Sequence, residues 1–479
     1  MDKTCLWLLL AFPGVVQAQT MYRVINLDPG ESGRSTAAVS VSDDRTVAVN
    51  EGFARAFRWT PTSRLNMLPP FVFVNDGASV GAGAGKDRLV VGRLTTNRSA
   101  AVVWDKYGTV KTIPYLPSFS SAQGKDINDA GQVCGYNTKN NSHMAFRYGT
   151  SLEALPPLIG TESVGTAINK FGWVAGDSGK TNEATATLWK SPTNAVLLGT
   201  LPGYLYSSTQ DMNDLGEVVG YASGVAGGGA RPFLWRQSTG MQPLESLGLT
   251  GFAFSNNESG KVVGDIVGMG AVLWEPDGTL VDLNSRLEVN SQDWRLGRAT
   301  SINEWGDIVG NGTFEGESRA FLAVPYEEGT TTPTSIVELY GAIRRGDIYS
   351  LYVPNGDAVV VERYFVQTSD VIQVRISGST KLKQLQSLAV KGRLAIKQGS
   401  PRRVFVELFN YLIGTYDAID TLQMTVGTNE LDFSLQGTGD LSRYLSSSGA
   451  IRARIKVRDG VRTTRSEQLV IDQFVWKIT

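Results

Sequence analysis

Histidine and cysteine are nearly absent from this sequence, which has one histidine and two cysteines in 479 residues. So little histidine excludes histidine-rich metal sites and limits acid–base chemistry, and two cysteines exclude a dense disulfide framework. Charge of neither sign dominates, because charged residues make up 19% of the chain and leave a net charge of -1. Hydrophobic residues reach 42%, which is enough for a large core, and the length favours two domains or one large domain plus a module.

Long hydrophobic runs are also missing, and the longest opens the chain. Lys3 precedes apolar residues from 5 to 16, and residues 16–18 read Val-Gln-Ala, the small-x-small form of a cleavage site. A run of about 12 residues is too short to span a bilayer, which needs about 20. We therefore predict a secretory signal peptide at residues 1–18. The mature chain is expected to be secreted to the extracellular space or the periplasm, with no membrane span or anchor.

One sequence unit recurs seven times between Ala37 and Phe321. Its centre reads INDAGQVCG, MNDLGEVVG and SINEWGDIVG in three of the clearest copies. Successive copies are 41 to 46 residues apart, measured between their closing positions, which are Val49, Gly92, Gly135, Gly176, Gly220, Gly264 and Gly310. Such a regular period is typical of a repeat architecture.

The Asn-x-x-Gly segment in each centre predicts a tight turn between two antiparallel strands. Asparagine accepts turn hydrogen bonds and glycine takes a positive φ without a Cβ clash, as a type I turn followed by a glycine bulge requires. The predicted turn residues are Asn128 and Gly131, Asn169 and Gly172, Asn213 and Gly216, Asn257 and Gly260, and Asn303 and Gly306. The first two copies have Arg45 and Arg88 at the glycine position, which weakens the bulge assignment there.

Each unit continues with a strand of the form Ala-Phe-x-Trp and a leucine-rich fourth strand. Four short strands per unit, without helical periodicity, are typical of the blade of a β-propeller. The seventh unit stops after its third strand, whereas residues 21–27 form an extra strand at the start of the mature chain. We therefore predict an all-β chain with a seven-bladed propeller at residues 19–326, whose last blade is closed by the N-terminal strand. An open solenoid is the alternative.

The combination of I-N-x-x-G-x-V-x-G with A-F-x-W resembles the HAF family of bacterial extracellular repeats over residues 21–326. The sequence departs from the family where its His-Ala-Phe has histidine, because Arg55, Met144, Arg231 and Arg319 stand there. The resemblance implies an exported repeat protein. It implies no catalytic residues.

A polar linker at residues 327–335 separates the repeats from residues 336–479, which keep β alternation but lose the period. Alternation is clear in segments such as 371–376 and 451–458, which predicts a jelly-roll-like β-sandwich module. From Thr331 onward, 19 Lys and Arg face 14 Asp and Glu, so this module is basic and the repeat region is acidic.

Four cations alternate with apolar residues near the C-terminus: Arg452, Arg454, Lys456 and Arg458. Alternation places them on one face of a strand and the apolar residues in the core. A solvated outer face is the plain interpretation. The functional alternative is a polyanion-binding surface for acidic wall polymers or anionic polysaccharide, with an affinity that falls as salt rises.

Aromatic residues recur in the connections between units. In a propeller these connections gather on one face around the channel mouth, where aromatic rings can stack on sugars or contact a partner chain. Alternatively, the rings wedge between blades as core. The candidate ligand-binding residues are Phe119, Tyr204, Tyr206, Phe252, Phe254 and Trp294.

Acidic residues directly follow the turn asparagine in four units: Asp129, Asp214, Glu258 and Glu304. The plain interpretation is turn chemistry, because these side chains accept local backbone hydrogen bonds. The alternative is a carboxylate pair contributed by different blades. His143 falls in a predicted loop, where we expect it to be solvated. Cys134 takes a position held by valine or alanine in other units, so we expect it to be buried.

The sequence contains no Ser-His-Asp set, phosphate loop or metal-ligand cluster, so we predict no cofactor, no metal and no nucleic-acid partner. The favoured function is an exported, non-catalytic binding or scaffold protein whose propeller face contacts a glycan or a cell-surface protein. The first alternative is a polysaccharide hydrolase or lyase that uses carboxylates in the propeller channel. The second is a structural surface or matrix component. The oligomeric state stays open.

Overall fold

The computed structural model describes residues 20–28, 35–51, 55–61, 64–68, 89–95, 98–180, 183–224, 228–288, 291–327, 330–352, 358–362, 370–380, 382–398, 402–424, 431–436, 441–458 and 468–478. The predicted signal peptide at residues 1–18 lies outside this range. The prediction of an all-β chain is confirmed, because strands in antiparallel sheets make up the fold and only short 3-10 turns interrupt them. Among the described residues, no helix combines the length and hydropathy of a membrane-crossing segment.

Strand β1 (Thr20–Asn26) is followed by seven successive antiparallel sheets. Sheet 1 contains β2 (Thr36–Val41), β3 (Val47–Glu51), β4 (Arg55–Thr60) and β5 (Arg64–Met67). Sheet 2 contains β6 (Val90–Thr95), β7 (Ser99–Trp104) and β8 (Val110–Thr112). Sheet 3 contains β9 (Ser121–Ile127), β10 (Val133–Lys139), β11 (Ser142–Tyr148) and β12 (Leu152–Leu155). Sheet 4 contains β13 (Ser163–Ile168), β14 (Val174–Ser178), β15 (Thr185–Ser191) and β16 (Asn194–Gly199).

The last three of these sheets repeat the same order. Sheet 5 contains β17 (Tyr206–Met212), β18 (Val218–Ser223), β19 (Arg231–Arg236) and β20 (Gly240–Pro243). Sheet 6 contains β21 (Gly251–Asn256), β22 (Val262–Ile266), β23 (Gly270–Trp274) and β24 (Leu280–Asp282), which a 3-10 turn at Leu283–Arg286 follows. Sheet 7 contains β25 (Trp294–Ile302), β26 (Ile308–Phe314) and β27 (Glu317–Glu327), with β1 paired antiparallel to β27 at its edge.

Most units have a glycine at the closing position, within the second strand, because the backbone of the first strand passes too close to leave room for a side chain there. A Cβ atom on Gly135 would lie 2.0 Å from the carbonyl oxygen of Gln123, and one on Gly220 would lie 2.0 Å from that of Ser208. Both glycines face a β-bulge in the neighbouring strand. The same backbone contact recurs at Gly176, Gly264 and Gly310.

Neighbouring sheets share hydrophobic cores. Trp104 of sheet 2 is buried together with Ala48 of sheet 1. Val309 and Leu322 of sheet 7 are buried together with Trp59 of sheet 1. The first and seventh sheets are therefore in direct contact, although 250 residues separate Trp59 from Val309.

The remainder of the described chain forms two five-stranded antiparallel sheets. Sheet 8 has the order β28 (Pro333–Tyr340), β31 (Asp370–Ser379), β36 (Ala450–Arg458), β33 (Arg402–Asn410) and β34 (Thr415–Met424). Sheet 9 has the order β29 (Ala342–Arg345), β30 (Val359–Glu362), β37 (Gln468–Ile478), β32 (Leu388–Gln398) and β35 (Leu431–Gln436). Two further 3-10 turns lie at Tyr349–Leu351 and Leu441–Tyr444.

Sheets 8 and 9 enclose one core between them. Val374 and Ile455 from sheet 8 are fully buried in the same cluster as Val361, Leu394 and Trp476 from sheet 9. The chain passes from one sheet to the other several times, because β28, β31 and β36 lie in sheet 8 whereas β30, β32 and β37 lie in sheet 9.

Candidate functional site

The first strands of six sheets line one cavity of about 590 Å³, which we call the channel. A second cavity of about 420 Å³ adjoins it, because Lys125, Thr166 and Gln210 line both. Asp211 lines only the channel and Tyr206 lines only the second cavity, and these two residues lie at opposite ends of β17. The two cavities therefore follow the first strands from one end to the other.

At the turn end of the channel, the asparagines make two kinds of contact. Asn128 Oδ1 accepts hydrogen bonds from the backbone N–H groups of Ala130 (3.1 Å) and Gln132 (2.9 Å), which hold its own turn. Its Nδ2 donates to the carbonyl oxygen of Asn169 in the next sheet, at 2.8 Å. Gly131 and its counterparts Gly172, Gly216, Gly260 and Gly306 have φ values between 74° and 83°.

The contact between sheets recurs along the series. Asn213 donates to the carbonyl of Asn257 and Asn257 to that of Asn303, each at 3.0 Å. Asn303 donates to the carbonyl of Ser42 in sheet 1, at 3.2 Å. The turn residue of each of these units therefore also links its sheet to the next, and sheet 7 to sheet 1.

Sheet 1 keeps this turn although it has arginine in place of glycine. Arg45 has a φ of 55° and donates its N–H to the carbonyl of Ser42 at 3.0 Å, as Gly131 does to Asn128 at 2.9 Å. The expectation of a weakened turn is therefore wrong at Arg45. Ion pairs of its guanidinium with Asp307 and Asp347 offset the strain of a non-glycine residue at positive φ. Arg88 lies outside the described residues.

Two of the four predicted acidic residues, Asp214 and Glu304, accept backbone hydrogen bonds from the neighbouring sheet, which corrects the expectation of local bonds for these two. Asp214 accepts from the N–H of Lys170 (2.7 Å), and Glu304 from that of Glu258 (3.0 Å). Asp43 of sheet 1 accepts from the N–H of Glu304 (3.0 Å). The carboxylates are drawn across the sheet boundary because the turns of adjacent sheets meet around the channel.

We call the acids Asp43, Asp129, Asp214, Glu258 and Glu304 the carboxylate ring. The ammonium group of Lys170 lies among them. Lys170 Nζ lies 3.3 Å from Asp214 and 3.2 Å from Glu258. Burial raises the pKa of Glu304 to about 7, and the negative charges of Asp43 and Glu258 contribute less to this shift. Among the described residues, no three His, Cys, Asp or Glu side chains are grouped so that they could hold a metal ion.

The change Glu304→Gln should flatten the pH dependence of stability. A raised carboxyl pKa in the folded state stabilises the fold below the ordinary pKa of 4.5, and this contribution is lost as the pH rises through about 7. The wild type should therefore have a higher denaturant midpoint at pH ~5 than at pH ~8, and the variant a smaller difference. Glu183→Gln, at an exposed acid that lines neither cavity, serves as control. An unchanged difference in Glu304→Gln would count against this assignment.

Two aspartates deeper in the channel link neighbouring sheets. Asp126 accepts from the N–H of Ile168 at 2.8 Å, and Asp211 accepts from the hydroxyl of Ser255 at 2.6 Å. Burial raises the pKa of Asp211. Both carboxylates are therefore held by hydrogen bonds between sheets, which indicates a structural role.

At the opposite end, three half-buried tyrosines line the second cavity, which we call the tyrosine cavity: Tyr136, Tyr206 and Tyr221. Tyr136 donates its hydroxyl proton to Gln123 Oε1. Its ring meets His143 edge to face at 4.9 Å and lies 5.7 Å from Lys125 Nζ. His143 lies on β11 and not in a loop, so the expectation of a loop position is wrong, and its half-buried side chain lines the tyrosine cavity.

Polar groups accompany the rings. Asp177 accepts hydrogen bonds from the Ser208 hydroxyl and from the Thr209 N–H, each at 2.8 Å. Burial of Asp177 nevertheless raises the pKa of its carboxyl to about 6. The tyrosine cavity thus combines aromatic surface with hydroxyl groups, a carboxyl group and the ammonium group of Lys125.

The six candidate aromatic residues lie in two kinds of place. Tyr206 lines the tyrosine cavity, and Phe252 packs edge to face on Tyr221 at 5.0 Å. Phe254 lines the channel and stacks with Phe252 at 6.1 Å. The other three pack against cores between or within the sheets, and they are Phe119, Tyr204 and Trp294.

Tyr136 and Tyr221 were missed among the candidate aromatic residues. Both directly follow the glycine that closes the unit, and Asp177 and Asp265 occupy the same position in other units. The residue after the closing glycine differs from unit to unit, although the residues before it repeat. This variation was the signal in the sequence that could have identified a residue on the cavity wall.

The four predicted cations lie on β36 with the predicted alternation, since Ile451, Ala453, Ile455 and Val457 are buried. Arg454 and Lys456 pair with Glu407 on the adjacent strand β33, at 2.6 and 3.0 Å. This face is turned away from the core of sheets 8 and 9. Cys134 is fully buried, and burial raises the pKa of its thiol well above the usual range.

No family model matches the chain, and no curated protein matches it. Among solved structures, the chain is similar to virginiamycin B lyase from Staphylococcus aureus, with 10% identity and a TM-score of 0.42 over 64% of this chain and 99% of that one. It is also similar to TolB from Acinetobacter baumannii, with 12% identity and a TM-score of 0.34 over 62% and 65%. A family 29 carbohydrate-binding module matches with 10% identity and a TM-score of 0.18 over 32% and 83%.

Proposed function

We propose that the seven sheets are the blades of a closed β-propeller at residues 19–326. Three contacts support closure: β1 pairs with β27, Asn303 donates to the carbonyl of Ser42, and the hydroxyl of Thr300 donates to the carbonyl of Ala38 at 2.9 Å. The two hydrogen bonds join the seventh sheet to the first. Bonds from a side chain to a carbonyl of the next sheet also link other neighbouring sheets. Sheets 8 and 9 then form a jelly-roll-like sandwich module at residues 336–479, after a linker at 327–335.

We further propose that the protein is an exported, non-catalytic binding protein and that a glycan is its ligand. Export rests on the signal pattern at residues 1–18 and on the resemblance to HAF repeats. The observation that carries the choice of ligand is the tyrosine cavity, at one end of the channel.

Its chemistry suits a saccharide. Sugar rings present apolar C–H faces that pack on aromatic rings and hydroxyl groups that need hydrogen-bond partners. The rings of Tyr136, Tyr206 and Tyr221 supply the first, and Ser208 and Asp177 supply the second. A concave site with aromatic walls and a few fixed polar groups is the usual form of a small-ligand pocket.

A binding role is favoured over catalysis because the carboxylates that face the channel are engaged in hydrogen bonds between sheets. Asp214, Glu304, Asp43 and Asp126 each accept a backbone N–H from a neighbouring sheet, and Asp211 accepts the hydroxyl proton of Ser255. The hydrolase or lyase alternative has one supporting observation, the pKa of about 7 at Glu304, which suits a general acid.

A glycan array probed with the mature chain, residues 19–479, tests the proposal. We expect binding to a neutral or weakly charged oligosaccharide that high salt does not abolish. Tyr206→Ala should weaken it at least about fivefold, because loss of one stacked ring costs about 1 kcal/mol or more. Tyr107→Ala, at a tyrosine that is 81% exposed and lines neither cavity, is the matched control.

Three results would contradict the proposal: no glycan binds, the two variants lose affinity equally, or Tyr206→Ala binds as the wild type does. Each bound glycan is also incubated with the protein and assayed for new reducing ends. Their release, and its loss in Glu304→Gln, would replace the binding role with the hydrolase or lyase alternative.

A further inference from the structure

The outer face of sheet 8 gathers cations from three adjacent strands. This basic face consists of Arg375, Arg403, Arg452, Arg454, Lys456 and Arg458. Arg375 on β31 lies directly opposite Arg454, and Arg403 on β33 lies directly opposite Arg458. Glu407 pairs with Arg454 and Lys456 within the face. Positive charge therefore predominates among its described side chains.

Aromatic rings hold several of these arginines in place. The guanidinium carbon of Arg454 lies 3.9 Å from the ring centroid of Tyr416, that of Arg458 5.0 Å from Phe405, and that of Arg452 5.6 Å from Phe409. A cation over an aromatic ring is attracted by its π face. Such contacts reduce the side-chain freedom that binding would otherwise remove, and the forked N–H donors of a guanidinium group match the geometry of a carboxylate.

We propose that the basic face binds an anionic polysaccharide that bears carboxylate groups. Residues two apart on a strand are separated by roughly 7 Å, so the cations of β36 form a row that matches a polymer with regularly repeated charges. Guanidinium groups already occupy the neighbourhood of the aromatic rings, which leaves less open ring surface for base stacking. Single-stranded nucleic acid depends on such stacking, so a polysaccharide fits the face better.

This site is independent of the tyrosine cavity, because sheets 3 to 5 build that cavity and sheet 8 builds the basic face. The proposal therefore stands or falls separately from the glycan-binding function of the channel. Tyr206→Ala should leave binding at the basic face unchanged.

The experiment measures binding of the full mature chain to polygalacturonate, to its fully methyl-esterified form and to a single-stranded oligonucleotide, at low and high NaCl. We expect tight binding to polygalacturonate at low NaCl, weaker binding at high NaCl and little binding to the ester. The double variant Arg452→Gln with Arg458→Gln should bind polygalacturonate at least about tenfold more weakly, because two charge-assisted contacts are lost.

Arg344→Gln with Lys383→Gln is the matched control, since it removes two positive charges from exposed positions outside the face. It should retain affinity within about twofold. Circular dichroism and the unfolding midpoint show whether each variant is folded. If the glutamine double variant unfolds, the double variant Arg452→Lys with Arg458→Lys replaces it. This variant keeps both positive charges and should bind polygalacturonate more tightly than the glutamine variant. Failure to bind polygalacturonate, equal loss in variant and control, or tighter binding to the oligonucleotide would each overturn the proposal.

Discussion

Deletion of residues 21–28 should unfold the whole repeat region and not only fray one end. These residues form most of β1, the outer strand of sheet 7, and Tyr22 and Leu27 are fully buried in cores of sheets 6, 7 and 1. Burial of two such side chains contributes about 3 to 6 kcal/mol, which is comparable with the total stability of many domains. The deletion also leaves the edge of β27 without a partner, which favours aggregation.

Circular dichroism and denaturant unfolding of the deleted chain give the measurement. A synthetic peptide of residues 20–28, added in trans, is the second arm, because it should pair with β27 and restore the native signal in a concentration-dependent manner. A soluble deletion variant with the wild-type unfolding midpoint would contradict closure of the ring by β1.

Asp307→Ala should cost about 3 to 5 kcal/mol, because it leaves a buried arginine without its principal partner. Arg45 Nε lies 2.8 Å from Asp307, and the two side chains are 3% and 0% exposed. Arg45 also lies 3.1 Å from Asp347, which follows strand β29 of sheet 9. The arginine therefore joins sheet 1, sheet 7 and the chain segment after β29.

Glu217→Ala is the matched control for this change. Glu217 occupies the same position in its turn as Asp307 does, four residues after the asparagine, and Asn213 Nδ2 donates to it at 2.9 Å as Asn303 does to Asp307. Its arginine partner, Arg236, is 36% exposed, so the loss should be about 1 kcal/mol.

Urea unfolding of both variants measures the difference. Arg45→Met combined with Asp307→Leu should be less destabilising than Asp307→Ala alone, because no buried charge remains. Equal losses at Asp307 and Glu217 would show that the arginine does not depend on its buried partner.

The strand pattern was largely predictable from the sequence because it is local. Alternation, the Asn-x-x-Gly turn and the Ala-Phe-x-Trp strand each act within a few residues, so the antiparallel sheets could be placed before the structure was known. The alternating strand at 451–458 was predictable for the same reason, and it is β36.

The contacts between sheets were not predictable in this way. The carbonyl that accepts from Asn128 belongs to Asn169, and the one that accepts from Asn303 belongs to Ser42, 261 residues away. Such partners depend on how the sheets pack, and the turn asparagine alone reveals only its local bonds. The sequence likewise left open whether Trp294 and Phe119 face the channel or the core, since an aromatic residue in a connection can do either, and the structure places both against cores.

Hydrogen–deuterium exchange of the mature chain, with and without the glycan that the array selects, tests most directly whether the tyrosine cavity is the binding site. We predict slower exchange in β10, in β11 and at the start of β17, where Tyr136, His143 and Tyr206 lie. Exchange in sheets 8 and 9 should be unchanged. Protection confined to sheets 8 and 9, or protection that persists unaltered in Tyr206→Ala, would contradict a glycan site in the channel.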